Sequence, residues 1–287
     1  SGDHRYLHSF PTRRSSDLAL VAAARFPGCA VTCHTFDLHH ARAVRRNLLA
    51  NGVASAFRHD PFVTVPADFA PAPAEDPARF TVACTSAIPA GPYDTALFMA
   101  SSGTTTSELI LDQLEDIHAN LAPGGTCVIA CEAESGPLLK QFRALFGHIS
   151  IHHDKHGVFC ASAVRHEPLA RPRDFSAAFP ASLPGGDAHT LVSLPGVFCH
   201  RRPDAGGLAL AEVAARDLRP GLRVLDIGCG CGLVGILLAK SQPGIRPTFI
   251  DSHARALAAT RRNLDALGIE KAKLILSDQG TDLTGYH

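Results

Sequence analysis

The sequence lacks the features that most directly assign a protein to a broad class. Its 27 lysines and arginines balance 27 aspartates and glutamates, so no global charge indicates binding to nucleic acid or to a membrane surface. No apolar run approaches the length of a membrane span. The nine cysteines include no Cys-x-x-Cys pair, which is typical of small buried thiols in a reducing cytoplasm. We therefore expect a cytoplasmic protein with no membrane segment, whose partners are recognised by local motifs.

A metal site is not expected either, although the chain has 16 histidines. The tightest group is His152, His153 and His156, and no cysteine or carboxylate pattern completes a set of metal ligands around it. Apolar side chains, by contrast, are abundant: 46% of the 287 residues are hydrophobic. That length and content suit two domains, each with its own core.

The first residues resemble a translated sequencing adapter. The segment from His8 to Leu18 is His-Ser-Phe-Pro-Thr-Arg-Arg-Ser-Ser-Asp-Leu. Scars of that origin are excluded from fold reasoning. We therefore treat residues 1–18 as non-native, and we expect the protein's own sequence to start near Ala19, inside a helix that ends at Arg25.

The most informative motif is Arg-Val-Leu-Asp-Ile-Gly-Cys-Gly-Cys-Gly at residues 223–232. An apolar run that ends in Asp-x-Gly-x-Gly-x-Gly is typical of a buried strand followed by a glycine turn. The glycines Gly228, Gly230 and Gly232 let the backbone pass close to a ligand. A phosphate would place a second anion beside Asp226 at one helix N-terminus, whereas S-adenosylmethionine carries an ammonium and a sulfonium. The motif therefore favours a methyl donor over a dinucleotide.

A dinucleotide site is the alternative interpretation. Residues 230–235, Gly-Cys-Gly-Leu-Val-Gly, satisfy the pattern G-x-G-x-x-G, and Asp251 follows at about the expected distance. That register would make the chain a nicotinamide oxidoreductase. It begins inside the glycine turn and leaves Asp226 without a role, so it is the weaker interpretation.

An internal repeat predicts the architecture. When the sequence is shifted by 216 positions, Arg-Arg-Asn-Leu at 45–48 falls on the same residues at 261–264, and Pro-Gly at 27–28 falls on Pro-Gly at 243–244. Each copy alternates strands and helices at spacings that imply right-handed crossovers and parallel sheets. The predicted fold class is α/β, with two tandem Rossmann-like domains of the class I methyltransferase type, the second incomplete.

The repeat also predicts boundaries and equivalent positions. The strand–helix units Val31–Gly52 and Thr248–Gly268 should superpose, with Thr35 or Asp37 standing where Asp251 stands. The expected organisation is a degenerate first domain at 19–165, a linker at 166–189 and a donor-binding domain at 190–287. Within these, residues 61–92 are expected to form a surface loop, residues 147–164 a terminal hairpin, and the strand at 273–276 the exposed edge of the second sheet.

Three acidic residues each follow one of three successive predicted strands in the second copy: Asp226, Asp251 and Asp278. The carboxyl ends of parallel strands form the edge at which such sheets bind ligands, so we expect the three carboxylates to converge on one cleft. There Asp226 can accept from the ammonium of the donor, Asp251 from both ribose hydroxyls, and Asp278 from the adenine amine.

These residues resemble those of a known family, the small-domain class I methyltransferases, and in particular the ribosomal RNA guanine-N2 methyltransferases (RsmC/RlmG). The resemblance also rests on Leu-Pro-Gly-Val-Phe at 194–198 and Asp-Ala-Gly-Gly at 204–207. It implies S-adenosylmethionine as the cofactor, with Asp204 near its methionine end. The donor-binding residues that we predict are Asp204, Asp226, Gly228, Gly230, Gly232, Asp251, Ser252 and Asp278.

One departure from the family concerns catalysis. The family holds the target amine with Asn-Pro-Pro-Phe at the end of its fourth strand, where the aromatic ring stacks on the flipped base. That motif is absent from this sequence, and we expect it after His287, since Gly285-Tyr286-His287 stands where the strand should begin. The first copy ends its equivalent strand in Ala-Ser-Ser-Gly at 100–103, and we expect it to have no catalytic activity. We therefore assign no catalytic residue and expect the chain itself to be inactive.

The resemblance implies methyl transfer to the exocyclic N2 of a guanine in ribosomal RNA, with the small subunit favoured. Two alternatives stay open: a methyltransferase of protein glutamine or of another base, and a non-catalytic RNA-binding pseudoenzyme. Five arginines near the linker and the site could neutralise RNA phosphates: Arg165, Arg171, Arg173, Arg201 and Arg202. The repeated Arg-Arg pairs at 45–46 and 261–262 are expected on outer faces of helices.

Overall fold

The chain folds into two compact units. The structure, a computed structural model, describes residues 5–9, 15–25, 28–69, 79–100, 107–131, 136–153, 159–169 and 171–280. Unit 1 comprises residues 1–58 and 71–174, and unit 2 comprises residues 59–70 and 175–287. Each unit is described by itself below.

Unit 1 is built on a mixed sheet with helices. Its strands are β1 (Arg5–Ser9), β2 (Ala30–Thr35), β3 (Ala56–His59), β4 (Phe80–Cys84), β5 (Tyr93–Ala100), β6 (Leu121–Cys131), β7 (Ser150–His153) and β8 (Phe159–Val164). Its helices are α1 (Ser15–Arg25), α2 (Leu38–Ala50), α3 (Ser107–Asn120) and α4 (Gly136–Phe146). The described strands lie in the order β3-β4-β2-β1-β5-β6-β8-β7. Strands β4, β2, β1, β5 and β6 run parallel, and β8 and β7 add an antiparallel hairpin at one edge.

A large apolar core of unit 1 lies where β5, β6 and β8 meet α3 and α4. The three strands bury alternate residues, as the two-residue period of a strand dictates. Phe98, Ile129 and Phe159 therefore point to the same interior, where Phe142 of α4 is fully buried. Each side chain of this size contributes about 1.5–3 kcal/mol when it is removed from water.

Unit 2 contains a parallel sheet, a short antiparallel pair and three described helices. Its strands are β9 (Ala177–Ala181), β10 (His189–Ser193), β11 (Arg223–Ile227), β12 (Arg246–Asp251) and β13 (Lys273–Leu276). Its helices are α5 (Ala205–Ala215), α6 (Leu233–Ser241) and α7 (Ala254–Ala266). The parallel sheet has the order β11-β12-β13, and β9 pairs with β10. Strand β12 is central and buries Phe249 completely, as is typical of a parallel strand covered on both faces.

The internal repeat recurs in the structure without a gap. Strands β2 and β12, and likewise helices α2 and α7, have bounds that differ by the same 216 positions at each end. Thr35 therefore occupies the strand-end position of Asp251, which confirms the ungapped register of the two that the sequence allowed. Asp37 corresponds to His253, and both are the residues that cap the following helix.

The exposed edge of the second sheet lies on the opposite side from the one predicted. Thr64 bridges to β13: its N–H donates to Leu274 and its carbonyl accepts from Leu276, both at 2.9 Å. Among the described strands, β11 is bonded to β12 alone, and Ile227 at its end is 69% exposed. The prediction of an exposed edge at 273–276 was wrong because the backbone of Thr64 bonds to β13 along that edge.

Several expected boundaries also differ. The expected loop at 61–92 contains β4, because the apolar run Phe80–Cys84 is buried between β2 and β3. The expected linker at 166–189 contains β9 and the first residue of β10, and the two units divide after Asp174. The structure places β1 and the start of α1 within residues 1–18, where β1 lies between β2 and β5. Whether that segment is native stays a prediction.

The predicted α/β class is confirmed by the alternation of parallel strands and helices. Within the described ranges, no helix combines the length and the apolarity that crossing a bilayer requires. All nine cysteines carry free thiols, and seven of them are buried. Burial raises the pKa of the Cys131 thiol to about 11, which keeps it protonated at neutral pH.

Candidate functional site

A glycine turn joins β11 to α6, as the motif predicts. Gly228, Gly230 and Gly232 all have positive φ (69°, 56° and 84°), a conformation that side chains with a Cβ rarely adopt. At Gly232 a Cβ would also lie 2.9 Å from side-chain carbons of Ile236 and of Thr260. The glycines therefore permit the turn, and Gly232 also permits its close packing against α6 and α7.

Asp226 lies near the end of β11, at the start of this turn, and is 8% exposed. Its Oδ2 accepts a hydrogen bond from the Gly235 N–H in the first turn of α6, at 2.9 Å. Burial raises the pKa of the Asp226 carboxyl; the Gly235 N–H lowers this pKa in part, and the neighbouring Asp251 carboxylate raises it further. A cationic group placed beside Asp226 would relieve the cost of this buried charge.

Asp251 ends β12 and braces the turn from the neighbouring strand. Its Oδ2 accepts from the Gly230 N–H at 3.0 Å, and its Oδ1 accepts from the His253 N–H at 2.9 Å. These two bonds tie the glycine turn to the end of β12 and hold the Asp251 carboxylate at the carboxyl edge of the sheet.

Asp204 is the N-cap of α5, where its Oδ2 accepts from the Gly207 N–H at 2.7 Å. The Cys199 thiol approaches its other oxygen at 3.6 Å. The capping interaction orients this carboxylate, because an N-cap side chain must point along the helix end. Its position at the rim of the glycine turn is compatible with a ligand cation as well.

The sequence analysis missed a set of buried polar residues that hold the site together. Asn263 is 1% exposed, and its side chain bonds the Val192 N–H and carbonyl and the Cys231 carbonyl. Arg255 is 4% exposed and donates to the Pro195 carbonyl at 3.2 Å. The repeated Arg-Arg-Asn-Leu contained a signal for Asn263, but the sequence does not show which of its residues face the site.

One cavity of unit 2, of about 480 Å³, brings most of the predicted residues together. That volume suits a ligand of cofactor size. The predicted residues that line it are Asp204, Asp226, Gly228, Gly230 and Asp251. Gly232, Ser252 and Asp278 do not line it, although Asp278 follows β13 at the same carboxyl edge of the sheet. Two carboxylates beside a glycine turn fit a ligand that offers an ammonium and vicinal hydroxyls.

The five candidate RNA-contacting arginines differ in their surroundings. In unit 1, Arg165 donates to the Leu121 carbonyl, and Arg173 forms an ion pair with the buried Glu115. Those two side chains already have structural partners. Arg171, Arg201 and Arg202 are exposed, and among them Arg202 lines the cavity of unit 2.

Three predictions concern segments outside the described residues. They are the strand start at 285–287, the silent Ser-Ser-Gly at 101–103 and the histidine at 156. In the part of the chain that the structure describes, no group of three histidine, cysteine or acidic side chains is arranged to hold a metal ion.

Comparison with known proteins first shows which class of domain the site resembles. Residues 188–285 match the model of the methyltransferase small domain family. The matched segment contains the glycine turn and both Asp226 and Asp251.

The relatives are more specific. The ribosomal RNA small subunit methyltransferase C of Stutzerimonas stutzeri (strain A1501) is 34% identical over 206 residues, which cover 70% of this chain and 59% of that protein. The protein of the same name from Shewanella loihica is 34% identical over 172 residues, 58% of this chain and 48% of that protein. The chain thus spans about half to three fifths of these relatives, and the resemblance inferred from the sequence is confirmed.

A solved structure shows the same fold. The T. thermophilus 16S rRNA N2 G1207 methyltransferase (RsmC), in complex with AdoMet and guanosine, matches with a TM-score of 0.71 at 20% identity. The match covers 99% of this chain and 68% of that one.

Proposed function

We propose that the protein is an S-adenosylmethionine-dependent methyltransferase whose acceptor is the exocyclic N2 of a guanine in small-subunit ribosomal RNA. The observation that carries the proposal is the convergence of Asp226 and Asp251 on one cavity beside the glycine turn. The names of the relatives support the acceptor, because those proteins methylate small-subunit RNA by name. RNA is accordingly the proposed partner.

The finer organisation belongs to the same proposal. We infer two tandem Rossmann-like domains, a degenerate one at 19–165 and a donor-binding one at 190–287 that is incomplete in this chain. The coincident bounds of β2–α2 and β12–α7 support the duplication. Unit 1 would then act in placing RNA, while the chemistry belongs to unit 2.

The donor, when bound, supplies an electrophilic methyl group on its sulfonium. Asp226 would accept from the ammonium, directly or through water, with Asp204 near the same methionine end. Asp251 would accept from the ribose hydroxyls. Asp278, which follows β13 at the same edge of the sheet but does not line the cavity, would accept from the adenine amine. The glycine turn allows the backbone to approach the donor closely.

A non-catalytic RNA-binding role is the second candidate. The observation that favours it is the exposed Arg202 on the lining of the cavity, which could neutralise an RNA phosphate whether or not methyl transfer takes place. Donor binding does not separate the two candidates, whereas methyl transfer by a chain extended to carry the Asn-Pro-Pro motif does. A methyl-transfer assay that offers this extended chain both ribosomal RNA and a protein substrate would also detect transfer to a protein glutamine.

Replacing Asp251 by alanine is expected to weaken S-adenosylmethionine binding by about 1–3 kcal/mol, because two ribose hydroxyls lose their acceptor and the Gly230 N–H loses its brace. Isothermal titration calorimetry measures the change. The matched control is Asp265→Asn, which removes a carboxylate from the exposed side of α7, where it pairs with Arg261. Equal donor affinity in wild type and Asp251→Ala would remove Asp251 from the site.

Replacing Asp226 by asparagine is expected to weaken donor binding by about 1.5–3 kcal/mol without lowering the stability of the donor-free protein. Asparagine keeps an oxygen that can accept from the Gly235 N–H, and it removes a charge that is costly to bury. Calorimetry and denaturant unfolding measure the two effects. A less stable variant with unchanged donor affinity would contradict the assigned role.

The pH dependence of this variant follows from the raised pKa of Asp226. Its unfolded-state pKa is near the ordinary 3.8, and the folded-state pKa is higher. The contribution of the group to stability is therefore fully present below the unfolded pKa and is lost as pH rises through the folded pKa. The unfolding free energy of wild type minus that of Asp226→Asn should increase as pH falls through this interval.

A further inference from the structure

An exposed aromatic ring stands at the rim of the cavity in unit 2. Phe198 is 76% exposed, although the preceding Val197 is buried at 5%. Two further large apolar side chains line the same cavity, Leu210 at 59% and Ile227 at 69% exposure. Large apolar side chains exposed around one cavity are unfavourable in water and indicate a site of binding.

The loop that carries Phe198 is firmly held. Ser193 is fully buried; its hydroxyl bonds the His200 ring at 2.8 Å and accepts the Arg201 N–H at 3.0 Å. The guanidinium of the buried Arg255 donates to the carbonyl of Pro195, which precedes Phe198 in the loop. Bonds before and after Phe198 along the chain hold the backbone that presents its ring to solvent.

Positive charge lies next to this ring. Arg201 and Arg202 follow Phe198 in the same loop, both are exposed, and Arg202 lines the cavity. An aromatic face together with guanidinium groups is the combination that single-stranded nucleic acids bind, since a base stacks on the ring and a phosphate meets the cation. Of the partners that could use both an aromatic ring and a cation, RNA is the one that the proposed function supplies.

We propose that Phe198 stacks on a nucleobase of the RNA at the mouth of the donor cavity, with Arg202 neutralising a neighbouring phosphate. The proposal rests on the proposed function, because the cavity must be the donor site for this base to matter in catalysis. It assigns to the loop 194–204 a role in positioning the acceptor, in addition to the role of Asp204 at the donor.

The test uses the full chain and a short single-stranded RNA in which one guanosine is replaced by 2-aminopurine, whose fluorescence is quenched by stacking. Wild type and Phe198→Tyr are expected to quench it, whereas Phe198→Ala and Phe198→Leu are not. The RNA affinity of the latter two should fall about 5- to 140-fold, the loss typical of one stacked base. The matched control is Phe62→Ala, because Phe62 is a partly exposed phenylalanine (36%) of unit 2 that lies outside the cavity.

Donor binding is measured separately by calorimetry, and in the Phe198 variants the affinity for S-adenosylmethionine should fall less than the affinity for RNA. Equal RNA affinity in wild type and Phe198→Ala, or no RNA binding by wild type, would overturn the proposal. So would full affinity in Phe198→Leu, which indicates a simple apolar contact, or a loss confined to S-adenosylmethionine binding, which places the ring on the donor. A wild type that binds RNA with quenching but no S-adenosylmethionine would leave the stacking supported and contradict the proposed function instead.

Discussion

No methyl transfer from S-adenosylmethionine to ribosomal RNA is expected from the 287-residue polypeptide. Its sequence contains no Asn-Pro-Pro-aromatic motif, which by resemblance to the family holds the target amine in line with the methyl group. Orientation of this kind can supply about 7–11 kcal/mol of the reduction in barrier. Without it, incorporation of labelled methyl into small ribosomal subunits should fall below detection.

The matched comparison appends to this chain the segment of a relative that carries the motif, with and without alanine in place of its asparagine. Turnover by the extended polypeptide and not by its alanine variant is the expected result. Robust turnover by the 287-residue polypeptide would show that the Asn-Pro-Pro-aromatic motif is not needed to hold the target amine.

The same comparison bears on solubility. In the described part of unit 2, β11 is bonded on one side only, and Leu222 and Ile227 beside it are 41% and 69% exposed. An unpaired strand edge invites pairing with other chains. The extended polypeptide should therefore remain monomeric at higher concentration than the 287-residue one, as measured by size-exclusion chromatography with light scattering.

Replacing Gly235 by alanine is expected to destabilise unit 2 and to abolish donor binding. A Cβ at this position would lie 2.4 Å and 2.9 Å from two ring carbons of Phe249 and 3.1 Å from Oδ2 of Asp226. Phe249 is fully buried, so its ring has no space into which to move. Alanine favours a helix over glycine by about 1 kcal/mol, but overpacking costs about 1–3 kcal/mol or more and is expected to dominate.

Denaturant unfolding and donor calorimetry measure the two effects of Gly235→Ala. The control is Gly136→Ala at the start of α4, where an added Cβ meets nothing within 4 Å and stability should be unchanged or slightly higher. A Gly235→Ala protein as stable as wild type, with unchanged affinity for S-adenosylmethionine, would show that α6 can move away from β12 at little cost.

Local patterns were sufficient for most elements of the fold. Strands β11 and β13 have the bounds that the apolar runs predicted, because their ends coincide with glycine or polar residues. The ungapped repeat anticipated the strand–helix unit β12–α7 from its copy in unit 1. Strand β4 was missed because prolines flank its apolar run on both sides, and composition then indicated a loop.

The carboxylates of the site were predictable for a related reason. A parallel strand delivers the residue at its carboxyl end to one edge of the sheet, so Asp226 and Asp251 had to lie near each other once β11 and β12 paired. Which side chains complete the cavity was not predictable in this way. Phe198 and Arg202 are brought to its rim by a loop whose path depends on bonds to Ser193 and to Arg255, which lies 60 residues beyond its partner Pro195.

The sequence by itself determined the α/β alternation, the duplicated strand–helix unit and the glycine turn with its acids, since each depends on residues that are close along the chain. The tertiary structure alone decided which edge of the second sheet is covered, because the bridge from Thr64 to β13 joins residues about 210 positions apart, and loop closure over such a distance leaves no local signature. It likewise decided that Asp278 stays outside the cavity and that Phe198 stands exposed at its rim. Both outcomes follow from packing between distant segments, which no local pattern specifies.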